Sequence, residues 1–317
     1  MTAYIMRRLA QVAFVLFAVS ILIFILLHIA PGDPATVLAG KTTSLEELEA
    51  IRRNLGLDKP LHIQYLTFIR KLFTGKLRSY AYKQPVISLI LERLPATVEL
   101  GFFSLVLATM VSLPSGIISA VKRNSFLDYI VTSTALLGVS TPVFWTALML
   151  MLLLSVQFGL LPVSGRGETL FGWSILTPDG LRHIIIPMLA LASVQMAMNT
   201  RLTRSSMLET LSKNYVTTAR SKGLKESVVV IRHAFRNALL PVMTNVGMMV
   251  GTLVAGAVLT ETTTAWPGLG RLMVSSITRR DYTTVFSLTL FVSFVYVFSY
   301  LVVDVLYAYV DPRITYD

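Results

Sequence analysis

The sequence predicts an all-α polytopic membrane protein with six transmembrane helices. Hydrophobic residues make up 54% of the 317 residues and charged residues only 14%, whereas soluble domains carry about 25% charged residues. In addition, six apolar stretches approach or exceed the roughly 20 residues that a helix needs to cross a bilayer. These stretches are 9–29, 98–120, 129–158, 184–200, 239–259 and 285–310.

The first and third stretches each allow an alternative. The first follows Arg7 and Arg8, but it is longer than the apolar core of a signal peptide and no small-residue cleavage site follows it. It therefore predicts an uncleaved span with a cytosolic N-terminus. The third contains Gly138 and Pro142. It reaches about 45 Å as a helix, which favours one tilted or kinked span over two.

Loop charges predict the orientation of the spans. The segments assigned to the cytosol hold 13 Lys and Arg residues, and the two short outer loops hold 5. The long outer loop, 31–96, is also basic, but loops of this length cross the membrane largely regardless of charge. The pattern predicts that both termini lie in the cytoplasm.

The long outer loop predicts two helices of its own. Ser44 and Glu47 form a capping box, and Gly56 ends the helix that follows. A second amphipathic helix begins after Pro60 and ends at Gly75. These helices either seal the helical bundle as a cap or form a docking platform for an extracytoplasmic protein.

Motifs of catalysis and cofactor binding are absent from the sequence. It contains no nucleotide phosphate loop, no GxSxG or HExxH motif, no cysteine and no histidines at metal-ligand spacing. We therefore expect no enzymatic activity, bound cofactor or metal in this chain. The net charge of +11 is explained by cytosolic basic loops and anionic membrane lipid, and we expect no nucleic acid partner.

The segment between the fourth and fifth stretches is the most informative part of the chain. It reads YVTTARSKGLKESVVVIRHAFRNALLP from Tyr215 to Pro241. Small residues precede Gly223, which permits a left-handed turn. A second helix then places Val228, Ile231, Phe235 and Ala238 on one predicted face. The segment either rests on anionic headgroups or docks a soluble partner and transmits its motion to the fifth span.

This segment resembles the cytoplasmic coupling motif, or "EAA" loop, of binding-protein-dependent ABC importers. Thr217, Thr218 and Ala219 stand in the positions of Glu-Ala-Ala, and Gly223 matches the motif's glycine; the Glu is absent. Further patches resemble the dipeptide/oligopeptide/nickel subfamily. They are Pro31-Gly32-Asp33-Pro34, Gly56-Leu57-Asp58-Lys59-Pro60, Trp266-Pro267-Gly268-Leu269-Gly270-Arg271, Arg280-Asp281-Tyr282, Asp304-Val305-Leu306-Tyr307 and Asp311-Pro312-Arg313. The chain departs from the family at Gly75-Lys76-Leu77-Arg78, where a basic residue replaces an acidic one.

The resemblance implies the type I ABC importer transmembrane fold and the first, or B-type, membrane subunit. Residues 1–95 would hold the first span and the extracytoplasmic loop, and residues 96–310 the transmembrane domain with a cytosolic coupling loop at 201–238. The implied partners are a second homologous permease subunit, two cytosolic ATPase subunits that bind ATP and Mg, and an extracytoplasmic solute-binding protein. The implied location is the bacterial inner membrane. The implied ATPase-coupling residues are Tyr215, Thr217, Thr218, Ala219, Arg220, Lys222, Gly223 and Leu224.

The solute and the source of energy have alternatives. Peptides are the expected solute, with nickel, a metal chelate or glutathione as alternatives. A transporter driven by an ion gradient would need carboxylates near the membrane midplane, and only Glu99 and Asp304 fall inside the apolar stretches. A membrane scaffold without transport is a further class.

Several polar and small residues inside the stretches predict helix contacts. We expect Asp304 to pair with Arg201, Arg204 or Arg313 and to fix the sixth span to the bundle. Gly247 and Gly251 have the spacing that favours close helix packing. The polar residues Asn199, Asn245 and Gln195 either line a path or bridge helices.

Overall fold

The computed structural model describes residues 2–29, 34–39 and 44–310. The chain divides into two compact units, which we describe separately. Unit 1 contains Met1–Thr97 and Pro267–Phe298, and unit 2 contains Val98–Trp266 and the chain that continues from Ser299.

Helices dominate both units, and the described residues contain no strand beyond two isolated bridges. The first helices are α1 (Thr2–Ile29), α2 (Pro34–Ala39), α3 (Leu45–Leu55), α4 (Leu61–Phe73), α5 (Val86–Val121), α6 (Phe126–Ser140) and α7 (Val143–Leu150), which continues as a π-helix (Met151–Gln157). A 3₁₀ turn (Ser174–Leu176), α8 (Pro178–Leu211), α9 (Asn214–Ser221) and α10 (Glu226–Val228) follow. A π-helix (Val229–Phe235) then leads into α11 (Arg236–Thr263), α12 (Leu269–Thr278) and α13 (Tyr282–Val310).

Four helices in the described part of the chain are long and apolar enough to cross a membrane. They are Met6–Ile29, Val86–Val121, Pro178–Leu211 and Tyr282–Val302. The pair Phe126–Ser140 and Val143–Gln157 qualifies as a fifth span only if both halves count together. The fifth predicted stretch, 239–259, lies within α11, but the side chains of residues 250–256 are outside the described set. Its membrane crossing stays a prediction.

The third predicted stretch contains a sharp break. Its two halves meet at 107°, a geometry that fits one broken span, as predicted, or a re-entrant loop. Pro142 explains the break, because proline has no N–H to donate and disfavours helical backbone at the residue before it. Thr141 is accordingly extended, with φ −96° and ψ 126°.

The two helices predicted for the long outer loop are confirmed. The side chain of Ser44 accepts a hydrogen bond from the N–H of Glu47, and the Glu47 carboxylate accepts one from the N–H of Ser44. Gly56 ends α3 in the left-handed conformation, at φ 74°. The second helix, α4, ends just before Gly75, as predicted.

Within unit 1, α4 packs against the C-terminal half of α1. The hydroxyl groups of Tyr65 and Ser20 lie 2.6 Å apart, and His28 Nε2 lies 3.1 Å from Gln64 Oε1. The apolar core of this unit joins α12 and α13 to the start of α5. Its buried members are Leu77, Val86, Leu89, Ile90, Leu269, Leu272 and Leu288.

Within unit 2, α8 is the central helix and contacts α6, α7 and α11. It also crosses α5 closely at Gly116. A Cβ atom on Gly116 would lie 2.5 Å from the Cβ of Thr203 and 2.8 Å from the carbonyl oxygen of Thr200. No larger residue fits there without moving a helix, so Gly116 sets the spacing of the two helices.

Candidate functional site

The segment that connects α8 to α11 forms a compact surface element. After α8 ends at Leu211, α9 places Val216 and Ala219 on its inner face, where they are buried against Val229 and Leu211. The other side of α9 is exposed. The helix is therefore fixed to its own chain by one apolar face and presents the opposite face outwards.

Gly223 makes the turn between the two helical parts. Its φ is +75°, a conformation that side chains with a Cβ rarely adopt, and its N–H donates to the carbonyl of Arg220 at 2.9 Å. Nothing lies within 4 Å of the position a Cβ would take. The backbone conformation, and not a lack of space, therefore requires glycine here.

An ion pair crosses this turn. Arg220 donates to both carboxylate oxygens of Glu226, at 3.1 Å from Nε and 2.7 Å from Nη2. These hydrogen bonds lower the pKa of Glu226 and raise that of Arg220. Because bidentate pairs of this kind are geometrically specific, the pair connects α9 to α10 in a defined orientation, although both side chains are partly exposed.

The helix after the turn differs from the predicted one. Val229, Val230, Ala234 and Ala238 are its buried residues. The predicted face included Ile231, which is 56% exposed, so that part of the prediction is wrong. The π-helix (Val229–Phe235) is the reason, because its i→i+5 hydrogen bonds change the phase of the side chains that α-helical spacing assumes.

The predicted coupling residues fall into two groups. Ala219 is buried at 6% exposure and contacts its own chain. The other seven are exposed, and we call them the α9 surface. They are Tyr215, Thr217, Thr218, Arg220, Lys222, Gly223 and Leu224.

The α9 surface combines apolar, basic and hydroxyl groups. Tyr215 and Leu224 are 43% and 41% exposed, and Lys222 carries a positive charge between them. The hydroxyl of Thr218 bonds back to the carbonyl of Asn214. Tyr215 is held by Asn237, whose Nδ2 donates to its hydroxyl at 2.9 Å. Exposed aromatic and basic residues on a fixed helix are typical of protein interfaces.

An ion pair near the start of α6 was missed by the sequence reasoning. Arg204 Nε lies 2.7 Å from Asp128 Oδ1, and its Nη2 lies 2.8 Å from Oδ2. Asp128 also accepts from the hydroxyl of Ser119 and the N–H of Asn124. Arg204 therefore pairs with Asp128. The side chain of Asp304 and all of Arg313 lie outside the described residues, so the expected pairing of Asp304 stays a prediction.

Glu99 is fully buried and saturated with donors. Arg166 donates to its Oε2 from Nε at 3.0 Å and from Nη2 at 2.6 Å. The N–H and hydroxyl of Ser174 and the N–H of Ile175 donate to its Oε1. This arrangement holds the loop before α8 against α5. It is a structural ion pair.

Asp281 is a second fully buried carboxylate, within unit 1 and just before α13. Its donors are the hydroxyls of Ser79, Thr283 and Thr284 and the N–H groups of Tyr80, Ala81 and Thr284. Burial raises the pKa of Asp281, but the hydrogen bonds outweigh burial and hold it below its ordinary value of 3.8. Burial and the nearby charge of Asp281 raise the pKa of Tyr80 to about 12.

The polar residues of α8 and α11 connect these helices. Asn245 Nδ2 donates to Asn199 Oδ1 at 2.7 Å, and Asn199 Nδ2 lies 3.3 Å from the sulfur of Met249. This geometry favours the helix-bridging interpretation of Asn199 and Asn245. Gly247 is partly buried, whereas the surroundings of Gly251 lie outside the described set. Close packing at these two glycines stays a prediction.

Comparison with family models identifies two regions. Residues 112–316 match the model for the binding-protein-dependent transport system inner membrane component. Residues 1–101 match the model for the N-terminal part of such membrane components.

Curated relatives resemble the chain over its whole length. The dipeptide transport system permease protein DppB of Escherichia coli K12 is 41% identical and covers 99% of both chains. DppB of Alkalihalophilus pseudofirmus is 39% identical over 100% of both chains, as is the oligopeptide transport system permease protein AppB of Bacillus subtilis.

Two solved structures share the fold. An inward-facing form of the MetNI methionine ABC transporter matches with a TM-score of 0.53 at 17% identity, over 70% of this chain and 98% of that one. An amino acid ABC transporter determined with histidines matches with a TM-score of 0.50 at 16% identity, over 72% and 95%. These matches confirm the predicted type I importer fold.

Proposed function

The chain belongs to the family of binding-protein-dependent transport system inner membrane components, and from this premise we propose that it is the B-type permease subunit of an ATP-driven peptide importer. The carrying observation is the α9 surface, which is exposed and is joined to α11 by the hydrogen bond between Tyr215 and Asn237. The family and the full-length relatives named as peptide permeases support this function. Nickel, metal-chelate and glutathione import are not favoured by these relatives.

We propose that the α9 surface binds a cytosolic ATPase subunit. Two such ATPases, with ATP and Mg, would act on this chain and on a second, homologous permease subunit. Contact with α9 reaches α11 through the ion pair Arg220–Glu226 and the continuous helical segment from Glu226. Movement of the ATPase can thereby reorient a helix of the membrane domain without any nucleotide chemistry in this chain.

We further propose a bacterial inner-membrane location with both termini in the cytoplasm. The outer loop, including α3 and α4, then faces the solute-binding protein. The clustering of Lys and Arg in the assigned cytosolic segments supports this orientation.

Cysteine accessibility tests the ATPase contact directly, because the chain has no cysteine. Thr217→Cys introduces a thiol on the α9 surface, and Lys76→Cys introduces one on the outer loop as a matched control. After co-expression with candidate ATPase subunits that carry a nucleotide phosphate loop, we expect one of them to co-purify. We also expect it to protect Thr217→Cys, but not Lys76→Cys, from maleimide. Equal labelling of Thr217→Cys with and without the ATPase would contradict the assignment.

A further inference from the structure

Unit 1 contains a cavity of about 690 Å³ that the proposed transport mechanism does not use. Its walls come from the end of α1, the α3–α4 turn, α4, the segment after α4 and the start of α13. The volume lies within the range of small-ligand sites in proteins.

The floor of the cavity is apolar and aromatic. Leu77 and Phe286 are buried there, and Phe24, Leu27 and Phe68 are partly buried. The rings of Phe68 and Phe286 pack edge to face, with centroids 4.4 Å apart. Such a surface favours hydrocarbon.

The rim of the cavity is basic. Arg52, Arg53, Lys59 and Lys71 line it and are exposed, and Asp58 is the acidic residue among the lining side chains. Within residues 2–29, 34–39 and 44–310, the side chains of Arg53, Lys59 and Lys71 have no carboxylate at ion-pair distance. The rim therefore favours an anion.

The apolar floor and the basic rim of the cavity lie beside the ends of two membrane-spanning helices. His28 lies one residue before the end of the first spanning helix, and Tyr282 begins the last one. Two apolar spans thus end at the cavity wall, which is the depth at which lipid headgroups meet acyl chains. The lining residues Tyr80 and Tyr282 are of a type enriched at membrane interfaces.

We propose that this cavity binds an anionic phospholipid. The phosphate is held by the basic rim, chiefly Arg53, Lys59 and Lys71, and an acyl chain lies along the floor formed by Phe24, Phe68 and their neighbours. The bound lipid fills the space enclosed by the end of α1, the α3–α4 turn, α4 and the start of α13, and so attaches the outer loop to the membrane surface.

Native mass spectrometry of the delipidated full-length chain tests the proposal. The chain is incubated with equal amounts of phosphatidylglycerol and phosphatidylethanolamine. We expect preferential retention of phosphatidylglycerol. In Arg53→Gln/Lys71→Gln, we expect binding of phosphatidylglycerol about thirtyfold weaker, the equivalent of about 2 kcal/mol for two charges. The double variant Lys122→Gln/Arg123→Gln removes the same charge from exposed positions after α5 and should bind like the wild type.

Three outcomes would overturn the proposal. Equal retention of both lipids would show that the rim does not select charge. An equal loss in the Lys122→Gln/Arg123→Gln control would show that only total charge matters. If glycerophosphoglycerol, which has the headgroup but no acyl chains, displaced phosphatidylglycerol at equal concentration, the site would bind free anions rather than lipid. Thermal unfolding of each variant checks that all four exposed-residue changes leave the chain folded.

Discussion

At the scale of single residues, Asp281 shows how a buried carboxylate is accommodated by neutral donors, with no ion pair to it among the described residues. The hydroxyls and N–H groups around it come from the segment after α4 and from the first turn of α13. Hydrogen bonds to an ionised acceptor are stronger than neutral ones. Asp281 therefore connects two segments that are about 200 residues apart in the sequence.

Replacing Asp281 with Asn tests this connection. The amide cannot accept at both positions, so at least one N–H of Tyr80 or Ala81 loses its acceptor. A buried donor without a partner costs about 1–3 kcal/mol, and we expect a lower unfolding temperature in detergent by circular dichroism. Glu49→Gln, an exposed change in α3, serves as the control. An unchanged unfolding temperature would show that the hydrogen bonds to the Asp281 carboxylate contribute no stability.

The difference in stability between the wild type and Asp281→Asn should depend on pH. The pKa of Asp281 lies below 3.8 in the folded chain, so the ionised form favours folding. The contribution of Asp281 to the free energy of unfolding is fully present above the pKa that the residue has in the unfolded chain. It is lost as the pH falls through the lower pKa of the folded chain. The stability difference between wild type and Asp281→Asn should be constant near neutral pH and should shrink below about pH 4.

At the scale of elements, the turn at Gly223 determines how α9 is presented. Gly223→Ala adds a Cβ at φ +75°, at a cost of about 1–2 kcal/mol for a left-handed residue. We expect a displaced α9 and reduced coupling, measured as lower solute-stimulated ATP hydrolysis in the reconstituted complex. Gly223→Asn should retain more activity, because Asn tolerates this conformation better.

Gly159→Ala is the matched control for that experiment. Gly159 has φ +61°, is exposed, and also has no atom within 4 Å of its missing Cβ. The backbone strain is thus similar, but it falls after the π-helix Met151–Gln157, outside both proposed contact surfaces. If both variants reduced stimulated hydrolysis equally, the loss would reflect general destabilisation and not coupling.

Element boundaries were predictable where a few neighbouring residues determine them. Ser44, Glu47 and Gly56 act through hydrogen bonds within one helix, and the structure has the predicted caps. The pairing of Asp128 with Arg204 joins residues 76 positions apart, and no local pattern indicates it. The exposure of Ile231 was mispredicted because helical periodicity assumes α spacing.

At the scale of the whole molecule, the orientation in the membrane determines what each surface can contact. We expect Lys59→Cys, at an exposed position of the α3–α4 turn, to react with a membrane-impermeant maleimide in intact spheroplasts. When the chain is expressed without its ATPase subunits, Thr217→Cys should react only after the membrane is permeabilised. The reverse pattern would show that the loop with α3 and α4 faces the cytoplasm.

The family and fold could be inferred from motifs, whereas the internal ion pairs could not. The residues from Tyr215 to Pro241 indicated the family, and both the family match and the fold are shown. The kink at Pro142 was predicted but its angle of 107° was not, because proline in a sequence indicates a break but not its angle. The angle depends on how α7 packs against α8 and α11.

The π-helix (Val229–Phe235) determines the rotation of α11 about its own axis as well as its position. Successive residues of an α-helix are rotated by about 100° about the helix axis. When one residue joins or leaves the wide turns of the π-helix, the helix that follows therefore rotates by that angle. Conversion of the π-helix to α-helical turns would turn Asn245 away from Asn199, its partner 2.7 Å away on α8. A short axial displacement of α9 is thereby convertible into a twist of the helix that follows it.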